Sequence, residues 1–254
     1  MKGGTMSEHT RALLAEACGT FWAFVIGAGA VVTNQATNGA VGLLGIALAY
    51  GLALAVAISS FGAISGGHFN PAVTVGLAIA RKHPWDRVPT YIGAQLAGAL
   101  LAGIFLRLIF DHAPAAMVAS RLGTPGVAPG ISLIAAILIE ALLTLFLLWA
   151  FFGTAVSPNA PRIAGFGIGL AVTAAILLGW PLTGASMNPA RWFGPAVASG
   201  YLRDGAVHLL GPLLGAAIAG YSYRYIFGAD SERRPIEVAP PARPAPPSDR
   251  TERL

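Results

Sequence analysis

The chain is 254 residues long, 55% hydrophobic and only 11% charged, with a mean hydropathy of +0.67. A soluble domain carries about 25% charged residues, so this composition excludes an ordinary soluble protein and points to an integral membrane protein. The net charge of +5 gathers at the termini and in short connections, which suits the cytoplasmic face of a bilayer and does not imply nucleic acid.

A helix that crosses the hydrocarbon needs about 20 mostly apolar residues. Six segments qualify, at roughly 11–33, 40–62, 88–110, 131–153, 162–181 and 205–227. The first contains Glu16 and Cys18. It is needed to complete an internal repeat, so it is not read as a cleaved signal peptide. Cys18 is the only cysteine, which excludes an intramolecular disulfide and a multi-cysteine metal site; it is expected to pack as a small apolar residue. Segments 63–87 and 182–204 are too polar and too rich in Gly and Pro to span, yet too apolar for plain surface loops. Their helical parts, about 71–81 and 189–199, are half a span long. Such segments dip into a membrane only where protein or a water-filled cavity satisfies the backbone. From about Gly228 the chain is rich in Pro and charge, and a disordered cytoplasmic tail over 228–254 is expected.

The two half-length segments say nearly the same thing. Asn70-Pro71-Ala72 returns as Asn188-Pro189-Ala190, 118 positions later, and at that offset 51–72 and 169–190 share nine identical residues of 22. Asn before Pro is pushed away from helical geometry, while Pro suits the first helical position. Each tripeptide therefore reads as an N-cap followed by a helix start. The repeat extends further: Glu16-xxx-Thr20 matches Glu140-xxx-Thr144, and Gln95-Leu-Ala-Gly-Ala99 matches Pro212-Leu-Leu-Gly-Ala216. Two halves, about 8–112 and 131–227, each hold three spans and one re-entrant loop. An odd number of spans per half makes the halves inverted, an arrangement known in transport proteins. The predicted fold is an all-α integral membrane protein of six transmembrane helices plus two re-entrant half-helices. With both termini cytoplasmic, twelve of the 16 Lys and Arg fall inside and four outside, which satisfies the positive-inside bias.

Two helix N-termini facing each other at mid-membrane form a positive barrier to cations and protons. Asn70 and Asn188 at those ends can cap their helices and also offer amide donors to a permeant. Glu16 and Glu140 are acids inside apolar spans, where an ionisable group costs at least about 2.5–3.5 kcal/mol. A proton relay is one reading. Their symmetric places favour another, in which each accepts backbone N–H groups from its own re-entrant loop. His68 is expected at the inner pore mouth, with simple packing as the alternative. His9, His83 and His112 read as solvated ends. No nucleophile–base pair, phosphate-cradling loop or metal-spaced His/Cys set occurs, so neither an enzyme nor a cofactor nor a metal is implied.

These features together resemble the aquaporin (major intrinsic protein) family over about residues 8 to 227. The residues that carry the resemblance are the two Glu-xxx-Thr pairs, Ser65-Gly-Gly-His-Phe-Asn-Pro-Ala-Val-Thr74 and Gly184-Ala-Ser-Met-Asn-Pro-Ala-Arg191. The resemblance implies six tilted helices around one pore for water and small neutral solutes, and a homotetramer embedded in lipid of the cell membrane. It also implies that Arg191 lines an outer constriction, which by counting from the two Asn includes Tyr50, Ile176 and Ala185. The markers for the solute are mixed. Strict water channels carry His where this chain has Ile176. Glycerol facilitators typically carry Asp where it has Trp192, and His208-Leu209 replaces an aromatic pair common in water channels. A facilitator for glycerol, urea, ammonia or neutral metalloid hydroxides is the alternative to a water channel, and a secondary transporter is the rival from another class.

Overall fold

Polar and apolar residues are distributed inside out relative to a soluble protein. Leu44, Val56, Leu108, Ile134 and Leu178 stand more than half exposed, while Glu16, Gln95, Thr74 and Glu140 are fully buried. This is a computed structural model that describes residues 6–227, without the side chains of Arg224 and Phe227; the expected tail lies outside the described residues.

Helix α1 (Glu8–Ala36) starts at Ser7, whose hydroxyl accepts the backbone N–H of Thr10 at 3.1 Å. Helix α2 (Gly42–Ser65) is stopped by Gly66, which takes the left-handed conformation (φ 93°) that ends many helices. The half-helix α3 (Pro71–Ile79) and a short 3-10 turn (Trp85–Arg87) lead into α4 (Val88–Ile109). The second half holds α6 (Leu133–Phe151), α7 (Phe166–Thr183), the half-helix α8 (Pro189–Ser199) and α9 (Gly205–Phe227). Helix α6 continues through a π-helical turn, Phe152–Val156. Among the described residues, six helices are long and apolar enough to cross a membrane. Their ends fall within about four residues of the sequence expectation. The connection between the halves is more ordered than expected. It contains α5 (Pro114–Ser120) and the turn Arg121–Gly123, and it buries Leu122 against α1.

Packing follows the repeat. Helix α1 lies on α2 and α4, as α6 lies on α7 and α9. Helix α3 rests on α9, and α8 on α4, so each half-helix is supported by the last span of the other half. The two halves also meet along α2 and α7. At that seam a Cβ on Gly51 would strike the carbonyl of Gly169, and one on Gly169 would strike that of Gly51. The two glycines are repeat mates, and only hydrogen at both positions lets the backbones approach so closely. The Thr173 hydroxyl sits at the same seam, 3.1 Å from the Gly169 carbonyl of its own helix and 3.3 Å from the Ala47 carbonyl across it.

One expectation is corrected here. Cys18 does not pack inside: it is exposed, on the outer row of α1 with Leu14, Trp22 and Ile26.

Candidate pore and its outer constriction

The loop before each half-helix is folded onto a buried acid. Glu16 accepts the backbone N–H of His68 (3.0 Å) and Phe69 (2.7 Å), the hydroxyl of Ser65 (2.6 Å) and the amide of Gln95 (2.7 Å). Glu140 accepts the backbone N–H of Ser186 (2.8 Å) and Met187 (2.7 Å) and the hydroxyl of Thr183 (2.7 Å). To turn these amides toward the acids, Phe69 and Met187 adopt left-handed backbone (φ 49° and 53°), an uncommon state for side chains of that size. They too are repeat mates. The acids therefore spend their acceptor capacity on loop donors.

The two half-helix starts then face each other. Asn70 caps α3 by accepting Ala72 N–H at 2.8 Å, and Asn188 caps α8 by accepting the N–H of Ala190 (2.9 Å) and Arg191 (3.3 Å). Each amide also reaches across: Asn70 donates to the Met187 carbonyl at 2.9 Å, and Asn188 to the Phe69 carbonyl at 3.0 Å. An amide nitrogen carries two N–H groups, so one remains on each Asn. Both Asn line a narrow central cavity of about 40 Å³, room for roughly three waters at about 10–15 Å³ each. The positive ends of two helices converge there.

On the side of the fold that carries both ends of the described chain, His68 lines both the central cavity and a vestibule of about 650 Å³. The Nδ1 of His68 lies 3.1 Å from the Thr74 hydroxyl, which is also 3.1 Å from the Asn70 carbonyl. Lining and packing are therefore not alternatives for His68, because its ring does both. His83 is not a solvated end. Its ring sits 4.8 Å from that of His68 and 4.5 Å from that of Tyr91. Partial burial there lowers its pKa below the usual imidazole value, and the nearby Arg87 lowers it further. His9 is also half-buried, its Nε2 3.3 Å from the Thr90 hydroxyl, whereas His112 is exposed.

On the opposite side, Arg191 is 4% exposed, and its guanidinium carbon lies 4.3 Å from the Tyr50 ring centre. Among the described residues, the three guanidinium nitrogens and the Tyr50 hydroxyl have no hydrogen-bond partner. Tyr50 fits because Gly27 has no side chain; a Cβ there would strike the ring. Tyr50 and Arg191 belong to the outer end of the central cavity. Beyond them lies an outer vestibule of about 380 Å³, lined by Val31, Ile46, Thr124 and Trp180 among others, which shares no lining residue with the central cavity. Ile176 and Ala185 are fully buried and line neither space. On α7, Val172 lines the central cavity and Trp180 the outer vestibule. Ile176 is on the same helical row between them.

A profile of the major intrinsic protein family, described as "Major intrinsic protein", matches residues 4–223. The chain belongs to that family. NIP4-1 of Arabidopsis thaliana is 40% identical over 89% of this chain and 78% of its own length. Aquaporin NIP1-1 of Oryza sativa subsp. japonica is 38% identical over 84% and 73%. The fold of this major intrinsic protein is similar to that of the aquaglyceroporin from Plasmodium falciparum, with a TM-score of 0.75 at 23% identity, covering 86% and 96% of the two chains.

The structural roles of three residues of this family member were missed in the sequence. Gln95, noted only as part of the repeat, bridges Glu16 and Thr74 (2.7 and 2.9 Å). His208 is fully buried with Nδ1 3.6 Å from Glu140, and it faces the second acid as Gln95 faces the first. Alignment of the halves could have found Gln95, since it falls in a matched block. His208 lies four residues before the block that matches Gln95, and no spacing pointed to it. Trp180 was passed over as part of an apolar span.

Proposed function

We propose that the protein is a passive membrane channel with one pore per chain, built jointly by 8–112 and 131–227, that carries water and small uncharged solutes. The observation that carries this reading is the pair of capped half-helix starts, each with a spare amide donor on a cavity that holds only a few waters. Positive helix ends and the Arg191 guanidinium act together against cations, while neutral hydroxylated molecules find donors. Among the described residues, the acids buried within the spans are not free to couple an ion gradient, because Glu16 and Glu140 are occupied by their loops. The reading extends to a homotetramer in the cell membrane with both termini cytoplasmic, as the family resemblance and the charge bias suggest.

Tyr50, Ile176, Ala185 and Arg191 form the selectivity filter in this account. Arg191 supplies donors, Tyr50 a ring and hydroxyl, and Ile176 with Ala185 an apolar remainder. A permeant must tolerate this half-apolar ring, as glycerol, ammonia or a neutral hydroxide can, so these pass along with water. Stopped-flow swelling of proteoliposomes with water, glycerol, urea and ammonia tests this. Ile176→His should narrow the ring and reduce solute permeability by more than water permeability. Equal losses in a folded variant, or an unchanged panel, would remove Ile176 from the filter.

A further inference from the structure

The internal repeat exposes an asymmetry at the two mouths of the pore. On α7, Ile168, Val172, Ile176 and Trp180 form one row, and their repeat mates on α2 are Tyr50, Leu54, Ile58 and Gly62. The rows run in step until the last position, where the smallest residue stands opposite the largest. Gly62 borders the wide inner vestibule, and Trp180 borders the outer one. The constriction charge shows the same one-sidedness, since the repeat mate of Arg191 is Val73.

Trp180 is half-buried, and its ring centre lies 5.7 Å from the Arg191 guanidinium carbon. Tyr50 is on the same group at 4.3 Å. Both distances fall within the range of cation–π attraction. With no hydrogen-bond partner on any guanidinium nitrogen among the described residues, Arg191 is positioned by aromatic faces, and its N–H donors remain available.

We propose that Trp180 is a specificity-determining residue of the outer mouth. Its indole, together with Tyr50, seats Arg191, and it forms an apolar sill one helical turn outside Ile176. A polyol must lay its C–H edge against this sill while its hydroxyls meet the Arg191 donors. Compact hydroxylated neutral molecules satisfy both demands, and longer or broader polyols are turned back before they reach the filter. The proposal rests on the channel reading above.

The test uses the full chain in proteoliposomes, with stopped-flow permeabilities for water, glycerol and the five-carbon polyol ribitol. Trp180→Gly installs the residue of the first half. It should raise the ribitol-to-water ratio about tenfold, the low end of what steric discrimination in a pocket supplies, with water flux changed by less. Trp180→Phe keeps an aromatic face and should retain most of the discrimination, which a role in packing alone would not require. An unchanged ribitol-to-water ratio in Trp180→Gly refutes the proposal, whether or not the melting temperature falls. If Trp180→Gly fails to fold, Trp180→Ala takes its place, and an unchanged ribitol-to-water ratio there refutes the proposal instead. Unmodified protein with no flux above protein-free vesicles would refute the channel reading and this proposal with it, so the two failures are distinguishable.

Discussion

Removing Glu16 asks how much of the fold depends on one buried carboxylate. Glu16→Ala strips the acceptor from the backbone N–H groups of His68 and Phe69, the Ser65 hydroxyl and the Gln95 amide. Ser65 and Gln95 can turn to other partners, but the two backbone donors are fixed by the loop. A buried donor left unpaired costs about 1–3 kcal/mol, so the two together cost about 2–6 kcal/mol. That is a large part of a typical folding stability of about 5–15 kcal/mol. On the scale of about 2–4 °C per kcal/mol for chains of similar size, the melting temperature should fall by about 4–24 °C. Glu16→Gln keeps the shape but turns an NH2 group toward donors, so it should fall between wild type and Ala. The assay is thermal unfolding in detergent, read by scanning fluorimetry and by the monodisperse fraction on size exclusion. Glu16→Ala with a wild-type melting profile and altered proton conductance would refute this reasoning and support a relay. Glu140→Ala, with two backbone donors and the Thr183 hydroxyl at stake, should behave alike.

The seam between the halves predicts that Gly51→Val is destabilising by about 1–3 kcal/mol or more, because the new atoms meet the Gly169 carbonyl and Thr173. Gly93→Ala, where a Cβ meets nothing within 4 Å, should be neutral or slightly stabilising in the same melting assay; equal losses from both would refute the seam argument. His83 predicts a pH dependence. Its folded pKa lies below the ordinary value of about 6.5, so below that pH the unfolded chain binds more protons than the folded one. Its contribution to stability is therefore complete above about pH 6.5 and is lost as pH falls through that value. His83→Phe should flatten the decline in melting temperature between pH 7.5 and 5.0, and identical slopes would contradict the assignment.

Much of this was legible in the sequence because two constraints write themselves plainly. Hydrocarbon thickness demands long apolar runs, and the inverted repeat makes each unusual residue appear twice. The Asn-Pro-Ala starts and the acids within the spans stood out for that reason. What lacked a mate was harder to see. α5 is only seven residues long, too short to leave a periodic signal, and it belongs to neither half. The pairing of His208 with Glu140 crosses from α9 to α6, and the first half uses Gln95 instead. Trp180 sits opposite Gly62 in the repeat, where a comparison of the halves reports only a mismatch. His83 and Cys18 were misjudged for a common reason. Polarity and size say little about which side of a helix or turn faces a neighbour, and the rings of His68 and Tyr91 beside His83 are brought there by other segments.

The central claim is passive conduction through a fixed pore, and the most direct measurement is solute flux into proteoliposomes with and without imposed ion gradients. Initial rates should rise linearly with glycerol concentration, show no saturation at ordinary concentrations, and stay the same when a proton or Na⁺ gradient is applied or collapsed. Saturating uptake that accelerates with a gradient, or exchange of labelled for unlabelled solute faster than net flux, would contradict the channel account.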